Sequence, residues 1–145
     1  AARGQRPAPG RWSGLEILEH LILAERDILG GLPPREALVV RPRSLRNRAI
    51  RLLVVGVLRF AIPVKVPTRR MLPTGEASLA DLEATWAATH RWLGDLVEGL
   101  APGEGDPAWF RHPVAGPITL EQALSMDVLH LKVHLRQLRR LRPGA

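Results

Sequence analysis

The sequence contains no cysteine among its 145 residues. That excludes a disulfide scaffold, a thiolate zinc site and a cysteine nucleophile, and it leaves the redox compartment undecided. Long apolar runs are also missing. The longest spans Leu52 to Leu58, far short of the roughly 20 residues a membrane helix needs, so no membrane association is expected. The N-terminal stretch AARGQRPAPG has no apolar segment of the kind a secretory signal carries. A cytoplasmic location is the corresponding expectation. Aromatic residues are only 4% of the chain, and they are not interleaved with the basic ones as in a single-strand nucleic-acid binder. The nucleophile elbow G-x-S-x-G, the phosphate loop G-x-x-x-x-G-K-[ST] and the dinucleotide fingerprint G-x-G-x-x-G are all absent.

What is present is one domain's worth of ordinary globular composition. Apolar residues make up 46% and charged residues 24%, which rules out wholesale disorder. The net charge is +7, and only Lys65 and Lys132 are lysines, so arginine carries nearly all of it. A basic balance favours anionic partners: nucleic acid, phosphate esters or acidic small molecules. A solvated arginine-rich surface accounts for the same balance and outweighs a nucleic-acid role.

Pro/Gly punctuation divides the chain into helices. Residues 1–11 read as a tail, and residues 12–142 as a single helical domain. The first helix begins at Ser13, which forms an S-x-x-E capping box with Glu16, with Trp12 and Ile17 as a hydrophobic staple. It runs to about Gly30–Gly31, with an apolar stripe of Leu15, Leu18, Leu21, Ile22, Ile28 and Leu29. A second helix spans about Ser44 to Phe60, dense in arginine early and apolar late. Residues 62–66 could pass for a strand, but Pro63 and the lack of a partner argue against it. The third helix starts at Ser78, capped toward Asp81, and ends near Leu100. The segment HPVAGP then reads as an irregular connection. A second capping box, Thr119 with Gln122, opens a fourth helix that runs to Arg142. No strand pair is expected, and the pattern points to an all-α bundle.

Five histidines are the residues best suited to chemistry. His130 and His134, at i and i+4, share one helix face and are close enough to hold one metal ion. On a helical wheel the buried stripe of the fourth helix is Leu120, Ala123, Leu124, Val128, Leu131, Leu135, Leu138 and Leu141, with both histidines on its border. Asp127 falls in the inward arc, where a carboxylate needs a partner, and a ring N–H of a ligating histidine would serve. The glutamate of H-E-x-x-H is missing, so the zincin protease reading fails. His20 is the best third ligand, with Glu16 and Glu19 beside it as supporting carboxylates or simply as first-turn helix acids. His90, flanked by Trp86 and Trp92, reads as a packed or solvated edge residue. His112, before Pro113, reads as a turn-stabilising residue that could approach the rim of the site. The four tryptophans read as core or rim packing.

Two segments together resemble a known family. Residues 7–21, PAPGRWSGLEILEHL, resemble the PxxWSxxEhhxHL segment of the DinB/YfiT-like superfamily. His112-Pro-Val-Ala-Gly-Pro-Ile-Thr-Leu120, followed by His130, His134 and Gln137, resembles its C-terminal segment, HPxxGxhTL and then HxxxHxxQ. The resemblance covers residues 7–141, with little motif in the middle third. It implies a DinB-like four-helix bundle of up-down type with one long crossover. It also implies a divalent metal, zinc or nickel, held by His20, His130 and His134, with coordination positions left open as in a catalytic site. Relatives of known activity include transferases and isomerases that use low-molecular-weight thiols. The function expected on this basis is metal binding with thiol-dependent S-transfer or isomerisation on a small-molecule substrate. The alternatives are a non-catalytic metal-binding or stress-response protein of the same fold and, less favoured, a basic nucleic-acid-binding module. The family usually has a helix before the Trp-Ser motif, for which eleven residues are too few, so either that helix is truncated or the arginine-rich second helix or a partner chain fills its place. An apolar face left without that helix favours a homodimer, and the Leu52–Leu58 run is consistent with such a face.

Overall fold

A computed structural model describes Gly4 and residues 6–141. Four helices carry the chain: α1 (Gly14–Ile28), α2 (Leu45–Arg59), α3 (Leu79–Glu98) and α4 (Leu120–Arg140). Their starts follow the side-chain chemistry expected of them. Ser13, Ser44 and Thr119 each accept a hydrogen bond from the backbone N–H three residues on, and Glu16, Asn47 and Gln122 reach back to complete the boxes. Ser78 caps α3 through the Asp81 N–H. Arg142, the expected end of the last helix, lies outside the described residues; α4 ends at Arg140 with Leu141 as its cap.

The four helices form a bundle in which α1 is central. It contacts α3, α4 and the short 3₁₀ turn at Arg69–Met71, whereas α2 lies against α4 on the other side. The long connection of residues 60–78 joins α2 to α3 and contains no strand among residues 62–66. The central position of α1 explains why it is buried beyond its apolar stripe. Ile17, Leu21, Ile22, Ala24 and Leu29 are buried, and so are Glu16, Glu19, His20 and Glu25. Burying such groups is tolerable only because each is partnered. By contrast α2 has no buried residue at all.

Two expectations need correction. The segment HPVAGP is not irregular. It is the turn of an antiparallel hairpin, β1 (Phe110–His112) paired with β2 (Gly116–Ile118), with His112 opposite Gly116. Gly116 makes the turn possible: its φ is 76°, a left-handed conformation that side chains disfavour. A Cβ there would also lie 2.5 Å from the Asn47 Nδ2 atom. The hairpin plugs one end of the bundle, where Phe110, Ala115 and Ile118 join Leu29, Leu96, Leu120, Ala123 and Met126 in the core. The stripe of α4 is also rotated from the expected one. Val128 is 48% exposed and Leu135 40%, whereas Met126 and His134 are buried. The histidines, expected on the border of the stripe, lie nearer its centre, with His134 buried and His130 half-buried.

Candidate metal centre

The helices bring three histidines together across the α1–α4 contact. His20 projects from the middle of α1, and His130 and His134 from successive turns of α4. One ring nitrogen from each lies within 4.8 Å of the others. The Nε2 atoms of His130 and His134 are 3.0 Å apart, near the roughly 3.3 Å separating two ligands of a tetrahedral zinc ion. His20 meets both neighbours edge to face, with ring centroids 5.2 Å from His130 and 5.0 Å from His134. Trp12 covers the other side of His20 at 4.8 Å.

Hydrogen bonds set the tautomers. The His20 Nδ1–H donates to the Met71 carbonyl oxygen at 2.7 Å, leaving the Nε2 lone pair free. The His134 Nδ1–H donates to Gln137 Oε1 at 2.9 Å, which leaves its Nε2 as an acceptor facing the His130 Nε2 at 3.0 Å. Anchoring one ring nitrogen in this way is how proteins orient a metal-ligating imidazole. Electrostatics agree with neutral rings. Burial lowers the His20 pKa. Burial, with the other rings adding to it, takes His130 down to about 3 and His134 to about 4. Three neutral imidazoles with converging lone pairs fit a divalent metal ion and leave positions open for water or substrate.

The carboxylates singled out from the sequence are occupied elsewhere. Glu16 completes the α1 capping box and pairs with Arg6. The Arg6 hydrogen bonds, opposed by burial and helped by Ser13, hold the Glu16 pKa at about 2. Glu19 accepts hydrogen bonds from the Thr74 N–H and hydroxyl and from the Gly75 N–H. It thereby ties the long connection, and with it the Met71 carbonyl, onto α1. Burial pushes the Glu19 pKa up, but these donors outweigh it and the net shift is downward. Neither glutamate hydrogen-bonds to a histidine ring among the described contacts.

Asp127 does not partner a histidine of the triad either. It lines a small cavity of about 10 Å³ with Glu25, Leu93 and Leu124. Burial, then the charge of Asp127, raises Glu25 to about 7, and burial raises Asp127, with His90 opposing. His90 Nε2 lies 3.2 Å from Glu25 Oε1. This second cluster of Glu25, His90 and Asp127 went unnoticed in the sequence, because Glu25 and His90 are in different helices and belong to no motif.

His112 stabilises its turn as expected. Its Nδ1 accepts hydrogen bonds from the Val114 and Ala115 N–H groups at 3.1 and 3.0 Å, and burial lowers its pKa to about 4. Replacing His112 with Ala leaves two amides without an acceptor, one of them on the fully buried Ala115. Unfolding in urea should show a loss of about 1–3 kcal/mol. His112→Asn, whose side-chain oxygen can make the same turn, should recover part of it. An unchanged midpoint in His112→Ala would remove His112 from this role.

Among the described residues no helix is long and apolar enough to cross a membrane. No curated protein and no solved structure matches the chain. The family model of the DinB superfamily matches residues 1–138. That match covers both the Trp12-Ser13 segment and the His112 to His134 segment, so the bundle and its three convergent histidines belong to a chain that is a member of the DinB superfamily.

Proposed function

We propose that the protein is a metal-dependent enzyme of thiol chemistry, an S-transferase or isomerase, whose zinc or nickel ion is held by His20, His130 and His134. The observation that carries this reading is the donor set: three neutral imidazoles, two of them anchored through Nδ1, with their free nitrogens converging. A bound divalent ion would supply Lewis acidity and lower the pKa of a thiol or water that it coordinates. The protein's own residues do the rest. Met71 and Gln137 hold two rings in register, Glu19 pins the segment that carries Met71, and Trp12 shields His20 from solvent. The arginine-rich surface favours an acidic thiol. The alternative in which the metal is bound without catalysis shares the same site.

Elemental analysis of untagged protein tests the metal. About one zinc or nickel per chain is expected, lost in His134→Ala. Metal-free protein, even after reconstitution, would end the enzyme reading. Metal-loaded protein that transfers none of several low-molecular-weight thiols to electrophiles would favour the non-catalytic alternative. We also propose a homodimer through the exposed Leu52 and Leu53 of α2, at 63% and 68% exposure. Light scattering should give twice the chain mass, and Leu53→Glu should halve it.

A further inference from the structure

A polar cavity lies away from the histidines. Its volume is about 230 Å³, and it is lined by Arg43, Asn47, Arg48, Arg51, Pro117 and Gln122. It sits where α2, β2 and the start of α4 meet. Gln122 and His130 are separated by roughly 12 Å along α4, so the cavity is distinct from the metal centre.

Its polar lining presents donors and almost no acceptors. Arg43, Arg48 and Arg51 enter none of the ion pairs formed among the described residues. The two amides are oriented by the capping boxes. Asn47 Oδ1 accepts from the Ser44 N–H and hydroxyl, and Gln122 Oε1 accepts from the Thr119 N–H. Each carbonyl oxygen is thus directed to a backbone cap, and the NH₂ ends remain. That of Asn47 makes only a long contact, 3.4 Å, to the Ala115 carbonyl. No carboxylate balances this set. Between Glu36 and Glu76 the chain has no acidic residue and nine basic ones, so the excess positive charge of the whole protein is concentrated in this one segment.

The geometry points to a binding site for a phosphate monoester group of a small molecule. Three guanidinium forks exceed what the two oxygens of one carboxylate can use. A phosphate monoester offers three terminal oxygens and nearly two negative charges, and arginine recognises such groups bidentately. The cavity is smaller than the roughly 300 Å³ at the lower end of drug-sized sites. It therefore takes the anionic head while the rest of the ligand lies outside.

Calorimetric titration of the full chain with inorganic phosphate tests this, against acetate at equal ionic strength. One phosphate per chain is expected, bound at least ~10-fold more tightly than acetate, with Arg48→Gln/Arg51→Gln weakening it at least ~10-fold. Arg48 is exposed and Arg51 half-buried, and circular dichroism checks that the variant keeps its helices. Absence of phosphate binding, equal affinity for acetate, or binding unchanged in the variant would overturn the proposal. So would a short single-stranded DNA that binds through these arginines when phosphate does not, because the surface would then serve a phosphodiester backbone. The metal content of the same variant should stay at the wild-type level, which keeps this result separate from the histidine site.

Discussion

Adding zinc or nickel to metal-free protein should raise its melting temperature by roughly 10–20 °C. An ion that binds only the folded chain stabilises it by RT ln(1 + [L]/Kd), about 4 kcal/mol at a thousandfold excess over Kd. In a domain of this size each kcal/mol moves the melting point by a few degrees. The effect should be large because the three nitrogens already converge in the folded chain and are dispersed along the sequence in the unfolded one. His134→Ala removes one nitrogen and should nearly abolish the response. His130→Ala, at a half-buried position, should do the same with less disturbance of the metal-free fold. A melting point indifferent to both metals, or an equal rise in both variants, would show that the histidines do not hold the ion.

Acid should unfold the metal-free protein cooperatively below about pH 5. His112 and His134 have folded pKa values of about 4, His130 about 3, and His20 is also lowered. In the unfolded chain each titrates near 6.5. Between pH 6.5 and 4 the unfolded state therefore binds protons that the folded state does not, and stability falls with pH. Glu25, raised to about 7, and Asp127, also raised, act in the opposite sense. They bind protons in the folded state first and add stability as pH falls from about 7 to 4. Four rings against two carboxyls leave a net of about two protons, or about 2–3 kcal/mol per pH unit at the steepest point, and Glu16, held at about 2, and Glu19, also lowered, add to the fall below about pH 5. Against a total of roughly 5–15 kcal/mol, that is enough to unfold the chain within the window. Urea midpoints by tryptophan fluorescence, taken from pH 7.5 to 4, check the sign. Stability that is flat or rises toward pH 4 would mean that the rings are solvated or that the carboxyls dominate.

Local chemistry was the most legible part of the sequence. The caps at Ser13, Ser78 and Thr119 are decided by side chains three residues apart, so no tertiary information was needed to find them. The hairpin was hidden because Pro113 and Pro117 argue against strands, and strands of three residues are too short to show alternation. Its register depends on burying Phe110 and Ile118 under the helices, which no local pattern reports. The face of α4 was misplaced for a related reason. Hydropathy sends histidine outward, but His134 is buried at 7% exposure because Gln137 and the other two rings satisfy it. His20, placed beside the apolar stripe of α1, is likewise inside at 5%. Periodicity supported His20 as the third ligand only weakly, and the motif resemblance strengthened its pairing with His130 and His134. The Glu16 capping box was legible, but its Arg6 partner and the surroundings of Glu19 and Asp127 were not, since those lie in other segments or in the tail.

The absence of any buried residue in α2 has a thermodynamic consequence. Only Val54, Val55 and Leu58 of this helix lean on the core, so its detachment exposes little apolar surface and requires less free energy than global unfolding. One wall of the arginine cavity, Pro117 and Gln122, belongs to the firmly packed hairpin and α4, while the other wall travels with α2. An anion held between them would bind the docked state of α2 and not the detached one. Occupancy of the cavity and the ordering of α2 would then be two readings of a single equilibrium.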